Sequence, residues 1–478
     1  MPAFFLMLLL LAGCATSSHF ENYPSSSGSN AERRSIDVSH PDRPVILIAI
    51  SGGGSRAADL GWVILKDLRE LSYTSNGQSR RLIDDVAVVS SVSGGSVIAA
   101  YFGLYGPDGL DHFADDFLAA DNMRTLGIDA DSPLTWLRVA VAGPYDIDVM
   151  EQLFDKQLFH NKTFSELNQA GKPFVILNAT DMGGGEVFAF TPSRFDDVCS
   201  DFDKEPISVG VTASAAFPIL FSPVAFQNYS ATDCPSRPTP QWITTELTGN
   251  SEPYINLEQY KKARYANDLR YGGDRFRDIQ YLHFSDGGLA DNLGVHSLMD
   301  AIFSPSNIPT YLLTDINDGY IKKIVVIIIN ARSDPSSPIY QSPSPAGLID
   351  TIEGVTAIPI DAATASANSQ AETLLAELKQ AAAAAPVDAE FGGLKVYDVE
   401  IDFDQLRSTD EQQKMLRDNA KTIPTSLTIS KENQRVIEQA GQILLRQHPC
   451  FQKFLVDMKI NPLPGFTIDK KYAKQGCP

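Results

Sequence analysis

Two apolar, β-branched runs organise the first hundred residues. Each ends in a small polar turn and is followed by apolar residues at helical spacing. Pro44–Ile50 reads PVILIAI, the unbroken apolar pattern of a strand buried on both faces. The turn Ser51-Gly52-Gly53-Gly54-Ser55-Arg56 follows, then Leu60, Ile64, Leu68 and Leu71 at the helical period. Val86–Val89 repeats the plan. Its turn, Ser91-Val92-Ser93-Gly94-Gly95-Ser96, leads into Val97–Phe102, which reads as a buried helix. Further on, Arg277–Phe284 is a mixed strand-like run ending in Ser285-Asp286-Gly287-Gly288, and Lys323–Asn330 is the clearest late strand. Ala362–Ala385 has the composition of a long helix stopped by Pro386, and Asn433–Arg446 reads as another helix. The whole is a large α/β unit. Residues 110–164 read as a helical insertion with Trp136, Leu137 and Val139 as apolar points. Residues 228–275 are polar and tyrosine-bearing and read as an inserted loop or cap. Either could close over a site as a lid. No internal repeat is visible.

The turns carry the chemistry. Three glycines free the backbone for close approach, and their N–H groups, with a helix N-terminus behind them, can bind negative charge. In an acyl hydrolase that charge is the oxyanion of the tetrahedral intermediate. Two other readings stay open at this point. One is a plain tight turn. The other is a dinucleotide fingerprint, Gly52-x-Gly54-x-x-Ala57. That fingerprint expects an acidic residue about 20 positions later, where Ser72–Arg81 is polar but holds no carboxylate. Arg56 can steer anionic head groups, but a structural ion pair is the expected role. Ser93 sits where a nucleophile elbow exposes its hydroxyl, with the Gly94 N–H and a helix dipole nearby. Ser91 stands where G-x-S-x-G has its first glycine. The alternative is that Ser93 merely caps the helix, and Ser90, Ser91 and Ser96 are neighbouring hydroxyls. A serine nucleophile needs a base. Asp286 fits, Asp291 competes with it, and His283 and His296 leave a Ser/His/Asp triad open.

Taken together these residues resemble the patatin-like phospholipase family, and the glycine loop is also similar to that of the cytosolic phospholipase A2 group. Asn178-Ala-Thr-Asp181 with Gly183–Gly185, Ala213–Pro218 with Phe221-Ser-Pro223, and Ile423-Pro-Thr-Ser-Leu427 are similar to further family segments. The resemblance implies a three-layer α/β/α acyl hydrolase with a mainly parallel central sheet and inserted helices. It implies a Ser–Asp dyad: Ser93 as nucleophile, Asp286 as base, Gly52, Gly53 and Gly54 as the oxyanion hole. Arg56, Gly95, Gly287 and Gly288 would support them. The implied reaction is cleavage of fatty-acyl esters in a phospholipid or other lipid substrate through an acyl-enzyme, of phospholipase A or lysophospholipase type, with no cofactor and no metal. Ser91 and Ala57 depart from the family pattern without removing a group this mechanism needs. The alternative is a catalytically silent lipoprotein that binds lipid or a partner on the same scaffold.

The N-terminus adds an expectation of place. Phe4–Ala12 is apolar but shorter than the roughly 20 residues a bilayer span needs, and it has the length of a signal h-region. Leu11-Ala12-Gly13-Cys14 resembles a bacterial lipoprotein signal, although no Lys or Arg precedes it. The resemblance implies a signal peptide over 1–13, a lipidated Cys14 and a membrane partner reached through that anchor. Residues 14–42, rich in Ser, read as a flexible tether. Ala15 favours the outer membrane of a Gram-negative cell envelope. The hydrolase domain is then expected over 43–450, with 451–478 as a C-terminal tail. Export permits disulfides, and the remaining cysteines allow three pairings. Proximity in sequence favours Cys199–Cys234 and Cys450–Cys477 over free buried thiols. A net charge of −20 argues against a nucleic-acid partner and against strong electrostatic docking on anionic membranes.

Overall fold

A computed structural model of the chain describes residues 18–19, 22–25, 41–129, 132–167, 169, 171–230, 234, 237–248, 257–272, 279–303, 312–334, 348–386, 391–464, 466–469 and 477. The expected signal peptide and Cys14 lie outside them. Eleven strands are seen among these residues: β1 (Ser18–His19), β2 (Val45–Ile50), β3 (Ser72–Ser75), β4 (Gln78–Arg81), β5 (Val86–Val92), β6 (Phe174–Asp181), β7 (Glu186–Phe190), β8 (Val224–Gln227), β9 (Tyr281–Asp286), β10 (Lys323–Asn330) and β11 (Lys395–Asp402). Nine of them form one sheet in the order β1-β8-β9-β6-β5-β2-β10-β11, with β7 also paired to β6. Pairing is parallel from β11 through β10, β2 and β5 to β6. It turns antiparallel where β7 and β9 meet β6 and where β8 meets β9.

The apolar run at β2 explains the layering. Ile46, Ile48 and Ile50 enter one core, and Val45, Leu47 and Ala49 enter the other. A strand with no polar face requires a cover on both sides. On the first face lie α1 (Gly54–Glu70), α2 (Gly94–Phe113), α3 (Ile207–Ala215) and, from the end of the chain, helices Lys431–Gln447 and Pro449–Met458. On the second lie Val295–Phe303 and the long helix Leu348–Ala384. This long helix buries Ala367, Ala371, Leu375 and Leu378, a stripe at helical spacing whose small residues let it lie close to the sheet. The sandwich is the expected three-layer α/β/α arrangement with a mainly parallel sheet.

Several boundaries differ from expectation. The long helix begins at Leu348, well before Ala362, and carries Pro359 within it. Among the described residues of 228–275, where a loop or cap was expected, are two helices, Gln241–Thr248 and Leu257–Tyr271. The expected tether is not free throughout. β1 adds to the edge of the sheet beside β8, and the buried Asn22 side chain donates to Ser200 Oγ and to Gln227 O, both at 3.0 Å. Nor is 451–478 wholly a tail, because Phe451, Phe454 and Leu455 are fully buried in the first core. Cys199 is bonded to Cys234, and Cys450 to Cys477. No helix among the described residues is long and apolar enough to cross a membrane.

Candidate active site

The register of the parallel strands brings the two turns together. Ile50 of β2 lies opposite Ser91 of β5, so both strands leave the sheet at the same end and both enter helices there. Ser93 sits at the β5–α2 turn with φ 51° and ψ −122°. A non-glycine residue at such angles costs about 1–3 kcal/mol and is held there only by its surroundings. Ser93 stands at the N-cap position of α2, yet its side chain makes no capping bond. The hydroxyl instead lies near enough to the Asp286 carboxyl to pull its titration down. This answers the capping alternative.

A buried polar frame holds the elbow. Ser93 N–H donates to Ser214 Oγ at 2.9 Å, and Ser214 Oγ donates to Asn178 O at 2.6 Å. Asn178 Nδ2 donates to Ser90 Oγ at 2.9 Å and to Ser91 O at 3.0 Å, while its Oδ1 accepts from Ser297 at 2.6 Å. Ser91 and Ser96 bond to each other at 3.1 Å. The rival hydroxyls are therefore engaged in the frame. Neither Ser214 nor Asn178 stood out as a functional residue in the sequence, although both lie in segments of family character. A serine and an asparagine carry no signal of their own until the fold sets them under the elbow.

Asp286 ends β9. Its N–H donates to Ala216 O at 2.9 Å, and Gly287 N–H donates to Ser214 O at 3.1 Å. The same α3 segment thus holds the backbone at both Ser93 and Asp286. One carboxylate oxygen accepts from Gly288 N–H at 2.8 Å. A side chain on Gly287 would meet Asn178 O at 2.2 Å, and one on Gly95 would meet Ile50 O at 2.5 Å, which accounts for glycine at both supporting positions. Burial pushes the Asp286 carboxyl up to about 6, against the pull of the Gly288 N–H and the Ser93 hydroxyl. Asp291 is occupied elsewhere. Its fully buried carboxylate accepts from the N–H groups of Leu293, Gly294 and His296 and pairs with the His296 ring. Burial would raise it, but His296 and these donors outweigh that and hold it low. His283 is an exposed strand residue. Neither histidine bridges Ser93 and Asp286.

The glycine loop differs in one respect from expectation. Gly52 N–H donates to Asn292 O at 2.9 Å, so it is not free to hold an oxyanion. The N–H groups of Gly53 and Gly54 bond to no described residue, and the loop packs on the elbow: a Cβ on Gly94 would stand 1.9 Å from Gly54 O, and one on Gly52 would stand 3.3 Å from Ser93 Cβ. Arg56 also differs: it makes no ion pair among the described residues. Its buried guanidinium donates to Ala331 O at 2.7 Å, to Ile423 O, and to Thr425 Oγ1 at 3.3 Å. The dinucleotide alternative lacks its context. Ser72–Arg81 folds as an antiparallel hairpin of β3 and β4, outside the main sheet, where the fingerprint needs the next parallel strand.

Residues 48–299, more than half of the chain, match the family model described as patatin-like phospholipase. Comparison with curated proteins gives no match. Among solved structures the chain is similar to human GIVD cytosolic phospholipase A2, at 14% identity over 60% of this chain and 45% of that one, with a TM-score of 0.33. It is also similar to that enzyme in complex with methyl gamma-linolenyl fluorophosphonate, at 11% identity over 88% of this chain and 60% of that one, with a TM-score of 0.37. In both cases the match spans less than two thirds of the human protein's length. The family match runs from within β2 to the helix that follows Asp286 and so encloses both turns and the carboxylate: the chain belongs to the patatin-like phospholipase family.

Proposed function

We propose that the chain hydrolyses fatty-acyl esters of phospholipids or related lipids through Ser93 and Asp286. The observation that carries this reading is the Ser93 side chain, held on a positive-φ elbow, uncommitted to its own helix and close to the buried Asp286 carboxyl, whose titration it lowers. Asp286 accepts the Ser93 proton as Oγ attacks the ester carbonyl carbon. The carbonyl oxygen, now an oxyanion, accepts from the N–H groups of Gly53, Gly54 and Gly94. Each such donor is worth about 100–1000-fold in rate. Collapse expels the alcohol, which takes the proton back from Asp286, and leaves Ser93 acylated. Water then attacks the acyl-enzyme, giving its proton to Asp286, and release of the fatty acid returns that proton to Ser93. A carboxyl titrating near 6 is ionised at neutral pH yet more basic than an exposed aspartate, as a base for a hydroxyl should be.

The test is fatty-acid release from mixed phospholipid vesicles by the chain starting after Cys14, beside its Ser93→Ala variant. Release by the first and a fall of roughly 10,000-fold in the second is the expected result. Equal release by both would remove Ser93 from the mechanism. Attachment to a membrane through a lipidated Cys14 belongs to the same proposal. Mass spectrometry of the mature N-terminus in a bacterial host tests it, and an intact unmodified Met1 would refute it.

A further inference from the structure

A segment far from the dyad in sequence, and outside the family-matched residues, closes on the glycine loop. Residues 423–428 link helix Glu411–Thr422 to helix Lys431–Gln447. Ser426 O accepts from Ser55 N–H at 2.7 Å. The contact is so close that a Cβ on Gly54 would lie 2.2 Å from Ser426 O. Arg56, two residues on, is 2% exposed and sends its guanidinium to Ile423 O and Thr425 Oγ1 of this segment and to Ala331 O beyond β10. Ala331 is itself tied to the loop, since its N–H donates to Ser51 Oγ at 2.9 Å. The far side of the segment is anchored too. Asn122 Nδ2 donates to Leu427 O at 2.9 Å, and Met123 N–H donates to Thr428 Oγ1 at 2.9 Å.

A buried cation satisfied only by carbonyls and a hydroxyl is costly to keep. An arginine meant for head groups would stay exposed. We propose that residues 423–428 are a clamp that sets the position of the oxyanion loop, with Arg56 as the positioning residue that ties the clamp to Gly53 and Gly54. The inference rests on the proposed use of those two amides. Oxyanion donors act only where the oxyanion forms, and a displacement of about 1 Å costs on the order of 100-fold. The loop is thus held by two independent contacts at Gly54, one with Ser426 O and one with the Gly94 backbone.

The test compares two substrates in the full chain: p-nitrophenyl butyrate, which has no head group, and palmitoyl-oleoyl phosphatidylcholine in mixed micelles. Arg56→Gln should lower kcat about 100-fold on both with KM held within about threefold. Arg56→Lys keeps the charge but cannot span both carbonyls and the hydroxyl, and should still lose about tenfold on both. Thr425→Val, at an exposed position, should lose about threefold on both. Loss confined to KM for the phospholipid would make Arg56 a head-group contact and overturn the clamp. Should Arg56→Gln fail to fold, full kcat in both Arg56→Lys and Thr425→Val overturns it equally. Ser93→Ala run alongside separates the two claims. If that variant stays active the dyad reading fails; if it is dead while the Arg56 variants are normal, only the clamp fails.

Discussion

The β2–α1 and β5–α2 turns are neighbours built to one plan, a buried strand, a tight turn and a helix N-terminus, yet in the proposed reaction they do opposite work. The first presents N–H groups and no side chain. Its positive φ falls on Gly53 (138°) and Gly54 (59°), where it costs little. The second presents a side chain, and its positive φ falls on Ser93 (51°), where it costs about 1–3 kcal/mol. The difference is what the proposed reaction asks of each turn. A cradle must be bare to let an oxyanion reach the backbone. A nucleophile must keep its Cβ even in a conformation that glycine would adopt more readily. The two meet at Gly94, where an added Cβ would stand 1.9 Å from Gly54 O.

The largest effect expected from breaking the pair is on its chemistry. Asp286→Asn removes the base, and hydrolysis should fall by roughly 1,000-fold or more while the thermal midpoint holds. Gly94→Ala attacks the meeting point. Its methyl forces cradle and elbow apart, and should cost about 100-fold in kcat and about 1–3 kcal/mol of stability, read by kinetics and denaturant melts. The Asp286 carboxyl supplies a pH test. It works as a base only when ionised, so kcat/KM should fall as pH drops through about 6, by about tenfold per unit below it. A flat profile from neutrality down to acid would exclude it. Ser214→Ala leaves the Ser93 N–H without its acceptor and should lower kcat about tenfold, with about 1–3 kcal/mol of stability lost. The smallest effect on stability sharpens the comparison most. Ser93→Gly abolishes activity yet should raise stability by about 1 kcal/mol, because it relieves the strained backbone. A loss of stability there would show that the elbow is not strained.

Much of this was legible in the chain itself. Unbroken apolar strands, two turns of small residues and an Asp-Gly-Gly turn each have a local physical cause, and their order along the sequence pointed to the family and to Ser93 and Asp286 together. A strand such as Val45–Ile50 has no polar face, so burial between two helical layers follows from its composition alone. What the tertiary structure decided lies in partners distant in sequence. Gly52 loses its N–H to Asn292, which no local pattern reveals. Arg56 finds carbonyls at Ala331 and Ile423 instead of a carboxylate, because the loop is packed against chain segments hundreds of residues downstream. Ser214 and Asn178 become the frame of the elbow only when α3 and β6 lie beneath it. Periodicity and turn chemistry are local properties and can be read along one dimension. Which hydrogen-bond donors remain free to do chemistry depends on every group brought near them, and that is settled only when the chain has packed.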